Sequence, residues 1–469
     1  MEYSGTIAAI STAMSPSGIG IVRMTGEQAI DIADRVYKGK NDKKLAQQAS
    51  HTIHYGYVMD GQDMIDEVLV MLMKGPHSYT GEDTIEINCH GGMYVVKRVL
   101  ETLIKYGARP AEPGEFTKRA FLNGRLDLSQ AEAVGDLISS KNEYALKSSI
   151  GQLKGNIKNK INDIRNEIIY HTAFIETALD DPEHISVDGY GEKLKLVVDE
   201  LMQEILHLLS TYNNGRIIKE GIKTVIVGKP NAGKSSLLNV LIGEERAIVT
   251  DIAGTTRDVL EEHVSLQGIS LNIIDTAGIR NTEDVVEKIG VDKAKSHAES
   301  ADLIICVIDS SIPLDENDDE IFMMIKEKPS IILLNKSDLD MIVTKEDIQK
   351  RYFALNPAKN GDDMVPVIEI SVVKNQGILE LEGILKDMFY EGNLSFNDEI
   401  YITNIRHKTA LQDAYESLKK VNESIDAGMP EDFYSIDLLD AYEALGSITG
   451  ETIGEDLVNE IFSKFCMGK

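Results

Sequence analysis

The sequence predicts a multidomain α/β protein in which an α+β N-terminal domain precedes a helical domain, with an α/β domain inserted into that helical domain. Three observations predict this fold class. The chain has 469 residues, which is more than a single hydrophobic core usually serves. Over 223–391, apolar runs typical of a sheet covered on both faces alternate with helical segments. A helical period precedes that stretch and returns after about residue 400.

The N-terminal part has a mixed pattern. Over 6–104, short β-rich runs such as 19–23 and 67–71 alternate with helical stretches, which predicts an α+β domain. Over 129–213, apolar side chains instead recur every three or four residues and form one helical stripe, predicted to be bundle core. The residues of this stripe are Leu153, Ile157, Ile161, Ile164 and Ile168. The period returns near the C-terminus in Leu411, Ala414, Leu418, Val421 and Ile425.

The predicted boundaries follow from these changes of pattern. We assign 1–122 to the N-terminal domain, 123–220 and 392–469 to the two parts of the helical domain, and 221–391 to the α/β domain. Insertion is physically reasonable because the termini of compact domains often lie close together at the surface. Four domains in series are the alternative.

Composition limits the function classes. With 42% hydrophobic and 27% charged residues the chain has an ordinary globular composition. Its cysteines, Cys89, Cys306 and Cys466, are too few and too scattered for a disulfide framework, which favours a reducing cytoplasm. No apolar run approaches the roughly 20 residues of a spanning helix, so we expect no membrane insertion. The net charge of −29 disfavours a protein that holds nucleic acid by itself, so any RNA is expected to be bound with the help of a partner.

A phosphate-binding loop is predicted at 228–235, Gly-Lys-Pro-Asn-Ala-Gly-Lys-Ser. It follows an apolar strand and precedes a helical segment, which is the context such a loop requires. The glycines let the backbone wrap so that N–H groups face a phosphate. Lys234 supplies a positive charge, and Ser235 offers a hydroxyl to Mg²⁺.

Two further motifs follow in the expected order. Asp275 to Gly278 come at the end of an apolar run, where a carboxylate can hold a magnesium-bound water. The run 335–338, Asn-Lys-Ser-Asp, ends another apolar run. The Asp338 carboxylate can accept hydrogen bonds from the N1–H and the exocyclic amine of guanine, which adenine does not present. Separately each motif could be an ordinary turn or polar loop, but their ordered coincidence predicts a P-loop GTPase domain.

Two positions stay open. The run 371–374 could cover the guanine base or be an ordinary strand end. Ile279 stands where Ras-like enzymes carry the glutamine that orients water, so another residue must take that role. Glu287 is the candidate, and a solvated helical carboxylate is its alternative interpretation.

The motifs resemble those of a known family. Gly254-Thr255-Thr256-Arg257-Asp258, the runs 113–116 and 119–123, and the terminus Phe465-Cys466-Met467-Gly468-Lys469 resemble the MnmE (TrmE) family of tRNA modification GTPases over essentially the full chain. The resemblance implies a homodimer that forms a heterotetramer with an MnmG-type, FAD- and NADH-using partner. It implies modification of C5 of the wobble uridine (position 34) of certain tRNAs.

The resemblance also implies an N-terminal domain that serves dimerisation and binds 5-formyltetrahydrofolate or a related one-carbon donor, through Arg23, Glu86, Arg125 and Lys469. Arginines can pair with folate carboxylates, and a glutamate can accept hydrogen bonds from pterin N–H groups. Cys466 is either a reactive thiol near that pocket or a small buried hydrophobic residue.

By resemblance, K⁺ is coordinated by Asn231, Thr255 and the carbonyls of Thr250 and Ile252. Thr256 joins Ser235 at Mg²⁺, and Glu287 orients the attacking water. The full predicted nucleotide-binding set is Asn231, Ala232, Gly233, Lys234, Ser235, Ser236, Thr250, Asp251, Ile252, Ala253, Gly254, Thr255, Thr256, Asp275, Thr276, Ala277, Gly278, Asn335, Lys336 and Asp338.

Two other functions are alternatives. A GTP-regulated ribosome assembly factor predicts an appended basic RNA-binding module, which the mixed charges after residue 400 disfavour. A folate-binding module with a vestigial GTPase domain is disfavoured by the complete motifs. A run of basic residues over 141–165 could touch tRNA phosphates or be a solvated helix face.

Overall fold

A computed structural model describes residues 5–39, 43–185, 189–244, 262–266, 269–274, 299–356, 364–390, 400–452, 454–463, 465 and 468. The chain divides into two compact units. Unit 1 comprises Met1–Ser139, Ser149–Leu206 and Arg406–Lys469, and unit 2 comprises Ser140–Ser148 and His207–Ile405. In sequence, unit 2 therefore interrupts unit 1, as an inserted domain does.

Unit 1 contains a sheet of seven described strands in the order β3-β4-β5-β6-β2-β1-β7. Neighbouring strands are antiparallel except β1 and β7. The strands are β1 Ile7–Ile10, β2 Gly20–Thr25, β3 Tyr37–Gly39, β4 Thr52–Asp60, β5 Asp63–Met73, β6 Thr84–Cys89 and β7 Arg109–Pro110. The predicted β-rich runs 19–23 and 67–71 fall in β2 and β5.

The two faces of this sheet differ in burial. Residues of one face pack in a core with the helices Ala29–Val36 and Met93–Lys105. Alternate residues of the central strands point into this core, including Val22, Val70 and Ile87, which are at most 1% exposed. The opposite face of β4 and β5 exposes large apolar side chains.

The remaining described helices of unit 1 lie mainly in the predicted helical segments. They are Glu115–Leu122, Leu128–Ser139, Glu143–Leu153, Asn156–Asp180, Tyr190–Ser210, Ile405–Asp426, Asp432–Thr449 and Glu455–Ser463. Three of these helices include residues of both units: Glu143–Leu153, Tyr190–Ser210 and Ile405–Asp426. The Asn156–Asp180 helix buries four of the five residues of the predicted stripe: Ile157, Ile161, Ile164 and Ile168. This confirms the predicted bundle core there. None of the helices in the described part of the chain is long and apolar enough to span a membrane.

Unit 2 is built on a sheet of six described strands in the order β13-β12-β11-β8-β10-β9. All neighbouring strands are parallel except β9 and β10. The strands are β8 Ile222–Val227, β9 Glu262–Leu266, β10 Ile269–Ile273, β11 Leu303–Asp309, β12 Ser330–Asn335 and β13 Val367–Glu369. The described α-helices that lie entirely within unit 2 are Tyr212–Glu220, Lys234–Glu244, Glu316–Met324, Lys345–Leu355 and Ile378–Tyr390. The apolar runs predicted as strands fall in β8, β10, β11 and β12.

Parallel strands explain where the polar motifs of unit 2 lie. Every residue of β11 and β12 is buried, as expected for strands covered on both faces. The carboxyl ends of β8, β11 and β12 meet at one edge of the sheet, where ligands of open α/β sheets bind. The loops that begin at Gly228, Ser310 and Lys336 leave the sheet at that edge.

Unit 1 also contains a buried ionic cluster. Glu132 accepts hydrogen bonds from Arg406 Nε at 3.1 Å and Arg406 Nη2 at 2.9 Å, and it lies 2.9 Å from His407 Nε2. Burial by itself would raise the pKa of Glu132, but the hydrogen bonds from His407 and Arg406 outweigh it and lower the pKa from 4.5 to about 2. The ionised carboxylate of Glu132 therefore stabilises the fold at pH values above the ordinary carboxyl pKa.

Glu132→Gln is expected to lower the free energy of unfolding at pH 7 by roughly 3–5 kcal/mol, because it leaves the largely buried Arg406 guanidinium without its carboxylate partner. Because the folded-state pKa is depressed, the difference from the parent protein should shrink as the pH falls from 4.5 towards about 2. Urea unfolding followed by circular dichroism measures both quantities. Glu416→Gln, which removes an exposed partner of Lys419, is the control. An equal loss in both variants would contradict the role of burial.

Candidate functional site

The backbone of the predicted phosphate loop is held in conformations that need specific residues. Gly228 has φ +152°, and a Cβ there would lie 2.3 Å from the Val307 carbonyl oxygen. Gly233 has φ +104°, and its Cβ would lie 2.1 Å from Asn335 Nδ2. Asn231 adopts φ +60°, a left-handed conformation that asparagine tolerates better than most residues. A side chain at either glycine would therefore displace the neighbouring strand ends.

Lys234 lies across this loop. Its Nζ donates hydrogen bonds to the carbonyl oxygens of Gly228 at 2.7 Å and Lys229 at 2.8 Å. Burial lowers the pKa of Lys234, so a nearby anion would stabilise the charged ammonium and be stabilised by it. The helix Lys234–Glu244 begins here, and the positive end of its dipole also favours an anion. Loop, ammonium and helix terminus together have the charge that the predicted phosphate-binding role requires.

The side chain of Asn335 joins the predicted phosphate loop to the predicted base-reading loop, which comprises residues 335–338. At the end of β12 it is 3% exposed, and its Nδ2 donates to the Ala232 carbonyl oxygen at 2.8 Å. Its Oδ1 accepts from the Val372 N–H at 3.4 Å. The next residue, Lys336, has φ +66° and its ammonium pairs with Asp309. One side chain thus links three segments of the sheet edge.

Asp338 is prepared to accept hydrogen bonds. Ser371 Oγ donates to Asp338 Oδ1 at 2.6 Å, and this bond lowers the pKa of Asp338 below its ordinary value. The carboxylate is therefore ionised at neutral pH, as recognition of guanine N–H groups requires. The sequence left open whether 371–374 belongs to this site, and the structure places Ser371 in contact with Asp338.

Several predicted site residues lie outside the described part of the chain. They are Thr250, Asp251, Ile252, Ala253, Gly254, Thr255, Thr256, Asp275, Thr276, Ala277, Gly278, Glu287 and Lys469, together with Cys466. Their roles stay predictions. Ser235 and Ser236 are described, in the first turn of the helix after the phosphate loop.

A second polar cluster lies in unit 1. Arg23 and Glu86 are directly opposite in the register of β2 and β6, and Arg23 Nε donates to Glu86 Oε1 at 2.7 Å. The two side chains are only 13% and 15% exposed. Arg23 Nη1 also donates to the Gly468 carbonyl oxygen at 3.3 Å, which places this residue of the predicted C-terminal motif beside the pair.

Tyr79 connects this pair to Arg125. The guanidinium carbons of Arg23 and Arg125 lie 5.2 Å and 5.0 Å from the centre of its ring, and Arg125 Nη1 donates to its carbonyl oxygen at 3.0 Å. The structure therefore brings together the three described residues of the predicted folate set. An open cavity of about 470 Å³ adjoins Arg125, and its lining residues are His51, Met73, Pro76, His77, Ser78, Tyr79 and Arg125.

Sequence reasoning missed Tyr79, Lys229 and Asp318. Nothing in the sequence singles out Tyr79, because its role depends on two arginines from other segments. Lys229 lies inside the phosphate-loop motif, where its ammonium binds Asp318 Oδ2 at 2.7 Å. The only available signal was a cationic residue at a position of the motif that needs no charge.

The basic run over 141–165 is largely ion-paired. Lys158 lies 3.7 Å from Asp127, Lys160 lies 2.9 Å from Glu204, and Arg165 lies 2.7 Å from Glu451. Arg165 is also buried, at 4% exposure, so it is no surface charge. These contacts favour the interpretation as a structural helix face over a surface for tRNA phosphates.

Comparison with known proteins decides the family. Residues 128–466 match the family described as the MnmE helical domain, and residues 6–125 match the one described as the GTP-binding protein TrmE N-terminus. The chain belongs to the MnmE family. The first match begins and ends on either side of the α/β domain of this MnmE chain, in agreement with an insertion. The predicted fold class and family are confirmed, whereas the domain boundaries stay predictions.

Similar proteins carry the same name over their full length. The tRNA modification GTPase MnmE of Lachnoclostridium phytofermentans is 58% identical over 99% of this chain and 99% of its own. Those of Acetivibrio thermocellus and Clostridioides difficile are 50% and 48% identical over 100% of both chains. The solved G domain of the T. maritima FeoB iron transporter is 26% identical over 34% of this chain and 94% of its own, with a TM-score of 0.25.

The activity class follows from membership of the MnmE family. The chain is a GTP hydrolase that acts in tRNA modification, as predicted. A ribosome assembly factor and a folate-binding module with a vestigial GTPase domain do not fit this family.

Asp338→Asn is expected to weaken GTP binding at least about tenfold, because a charged hydrogen-bond acceptor is lost. Affinity for xanthosine triphosphate should rise, since an amide can donate to the oxygen that replaces the guanine amine. Titration with both nucleotides measures this, and Asp340→Asn, two residues further on and exposed, is the control. Unchanged GTP affinity would remove Asp338 from base recognition.

Proposed function

We propose that this MnmE protein is a potassium-activated GTPase that modifies C5 of the wobble uridine (position 34) of certain tRNAs. It acts with an FAD-dependent, MnmG-type partner and a one-carbon donor, 5-formyltetrahydrofolate or a related folate. The observation that carries the proposal is the presence of two separate sites in one chain. Unit 2 holds an anion-binding loop linked to Asp338, and unit 1 holds the Arg23–Glu86 pair beside Tyr79.

GTP binds along the carboxyl edge of the unit 2 sheet in this proposal. The loop amides and Lys234 hold the phosphates, and Asp338 reads the guanine. Ser235 begins the helix after the loop, and β10, which precedes Asp275, lies parallel to β8, which precedes the loop. Ser235, Thr256 and Asp275 therefore fit the oxygen-only ligands that Mg²⁺ prefers, with Asp275 acting through a bound water.

Potassium selectivity is assigned to Asn231 and the segment that contains Thr250, Ile252 and Thr255. Asn231 is exposed and in a left-handed conformation at the turn of the loop, so its side-chain oxygen is available to a ligand. Hydroxyl, amide and carbonyl oxygens suit a large, hard cation. When bound, K⁺ supplies positive charge where negative charge accumulates between the β- and γ-phosphates. Glu287 orients the attacking water through a second, bridging water.

GTP hydrolysis is expected to be at least about tenfold faster in KCl than in NaCl at equal ionic strength, because the cation contributes transition-state charge stabilisation. Asn231→Ala should abolish that difference. Glu287→Ala should slow turnover in both salts while GTP binding stays near the parent value. Steady-state phosphate release and nucleotide titration provide these values.

Equal rates in the two salts would reject potassium activation. A fully active Glu287→Ala variant would support the alternative that Glu287 is a solvated helical carboxylate with no role in hydrolysis.

The folate donor is proposed to bind unit 1. Since Arg23 and Glu86 contact each other, both face the same part of the ligand, and Glu86 accepts hydrogen bonds from pterin N–H groups there. Arg125 lies across Tyr79, at the wall of the open cavity, where its guanidinium can pair with the carboxylates at the other end of a folate. Lys469, the residue after Gly468, would add a positive charge for the part of the ligand that the Arg23–Glu86 pair faces.

Arg23→Ala is expected to weaken 5-formyltetrahydrofolate binding at least about tenfold, because Glu86 loses the partner that orients it. GTP hydrolysis should be unchanged. Isothermal titration of the full-length protein with the folate measures binding, and Arg35→Ala, an exposed arginine on the Ala29–Val36 helix, is the control. Full binding by the Arg23 variant would count against this site.

A homodimer is proposed through the open face of the unit 1 sheet. Ile53, Tyr55 and Leu69 are 61%, 48% and 47% exposed, and Tyr55 and Leu69 are direct partners in the register of β4 and β5. Contiguous exposed apolar side chains of this kind mark interaction surfaces. A second copy of the chain would bury them, and the loops around the nucleotide would form a further contact between GTPase domains.

A tRNA ligand is difficult to reconcile with binding by this chain alone. The net charge of −29 repels a phosphate backbone at long range, and the basic run over 141–165 is largely ion-paired. The MnmG-type partner is therefore proposed to supply most of the affinity for tRNA.

A further inference from the structure

Lys229 differs from the rest of the phosphate loop because its side chain turns away to a neighbouring segment. Its ammonium lies 2.7 Å from Asp318 Oδ2 and 3.0 Å from Asp315 Oδ2. Asp318 is 2% exposed and Lys229 is 11% exposed at the side chain, so the pair is shielded from solvent. Burial would lower the pKa of Lys229, but the hydrogen bonds that its ammonium donates to Asp318 and Asp315 raise the pKa above its ordinary value.

The two carboxylates are themselves fixed in place. Asp315 caps the helix Glu316–Met324, and its side chain accepts from the Asn317 N–H at 2.9 Å. Asp318 Oδ2 accepts from the Asp315 N–H at 2.9 Å and completes a capping box. Lys229 is therefore held by a helix terminus whose conformation is already determined.

The backbone of Lys229 also accepts a hydrogen bond from Lys234, the predicted phosphate-binding lysine. Lys234 Nζ donates to the carbonyl oxygens of Gly228 and Lys229. A displaced Lys229 would move one of these two acceptors. The anchored side chain thus fixes both the path of the loop before Asn231 and the position of Lys234.

The last residue of β11 and the residue after it also contact the base-reading loop. Asp309 pairs with the Lys336 ammonium, and Ser310 Oγ donates to the Asn335 carbonyl oxygen at 2.9 Å. The segment 309–318 therefore contacts the phosphate loop at one end and the base-reading loop at the other. It is a common support for both halves of the nucleotide site.

We infer that Lys229 is a positioning residue for GTP, anchored by Asp318 and Asp315 so that the phosphate loop is ordered before the nucleotide binds, which rests on the proposed role of 228–235 as the phosphate-binding loop. Ordering a loop in advance removes an entropic cost that binding would otherwise bear. The cost falls equally on the ground state and the transition state. Loss of the anchor therefore raises KM and leaves kcat nearly unchanged.

The test compares Lys229→Met, Asp318→Asn and Asp319→Asn in the full-length protein. Lys229→Met keeps the apolar stem and removes the ammonium. Asp318→Asn keeps an oxygen for the capping hydrogen bond and removes the charge. Asp319 is the matched control, because it is the next residue of the same helix and forms a bidentate pair with Arg351, at 2.7 Å for both contacts.

Lys229→Met and Asp318→Asn are each expected to raise KM for GTP about tenfold and to weaken GDP binding similarly, with kcat within about threefold of the parent. Asp319→Asn should leave KM unchanged. The double variant Lys229→Met/Asp318→Asn should be no worse than Lys229→Met alone, because both changes break one interaction. Lys229→Arg, which retains the cation, should recover most of the affinity and serves if the methionine variant does not fold.

Other outcomes overturn the inference. If Lys229→Met weakens binding while Asp318→Asn leaves it unchanged or tightens it, Lys229 contacts phosphate directly and is no positioning residue. If Lys234→Ala abolishes GTP binding but neither anchor variant affects it, the anchor has no role. If Lys234→Ala itself binds GTP normally, the proposed phosphate-binding loop fails first, so the two failures are distinguishable.

Discussion

The predicted nucleotide site of this protein depends on the side-chain amide of Asn335. It donates to the Ala232 carbonyl oxygen and accepts from the Val372 N–H, so the phosphate loop, the end of β12 and the segment after β13 are held by one buried group. The amide approaches Gly233 so closely that no Cβ fits there. A parallel sheet makes this possible, because its strand ends meet at one edge. Contacts within the protein therefore hold the described part of the predicted site together.

In unit 1, the register of two paired strands determines which polar side chains lie together. Antiparallel pairing of β2 and β6 sets Arg23 directly opposite Glu86, which keeps two charges at low exposure without an uncompensated carboxylate. Tyr79 then brings the guanidinium of Arg125 within 5.0 Å of the same ring. A cluster built in this way has fixed hydrogen-bonding directions, as a ligand with a polar head and an anionic tail requires.

The sequence predicted what depends on local pattern. Apolar runs and helical periodicity indicated the fold class and the buried stripe from Ile157 to Ile168, and the phosphate-loop motif indicated the order strand, loop and helix around Lys234. Contacts between distant segments were not predictable. Lys229 meets carboxylates 86 and 89 residues later in the chain, and Arg165, which seemed part of a basic surface, is buried against Glu451. Such pairings depend on how loops meet at a sheet edge and on how helices pack, which no residue spacing specifies.

We expect GTP binding at the unit 2 site to be required for tRNA modification. The most direct measurement is mass spectrometry of the wobble uridine in tRNA from cells that lack this protein and carry either the parent sequence or Lys234→Ala. The parent should restore the modified nucleoside, and Lys234→Ala, expressed at the same level, should leave the unmodified uridine of the deficient cells. Restoration by Lys234→Ala to the parent level would contradict the dependence of modification on GTP.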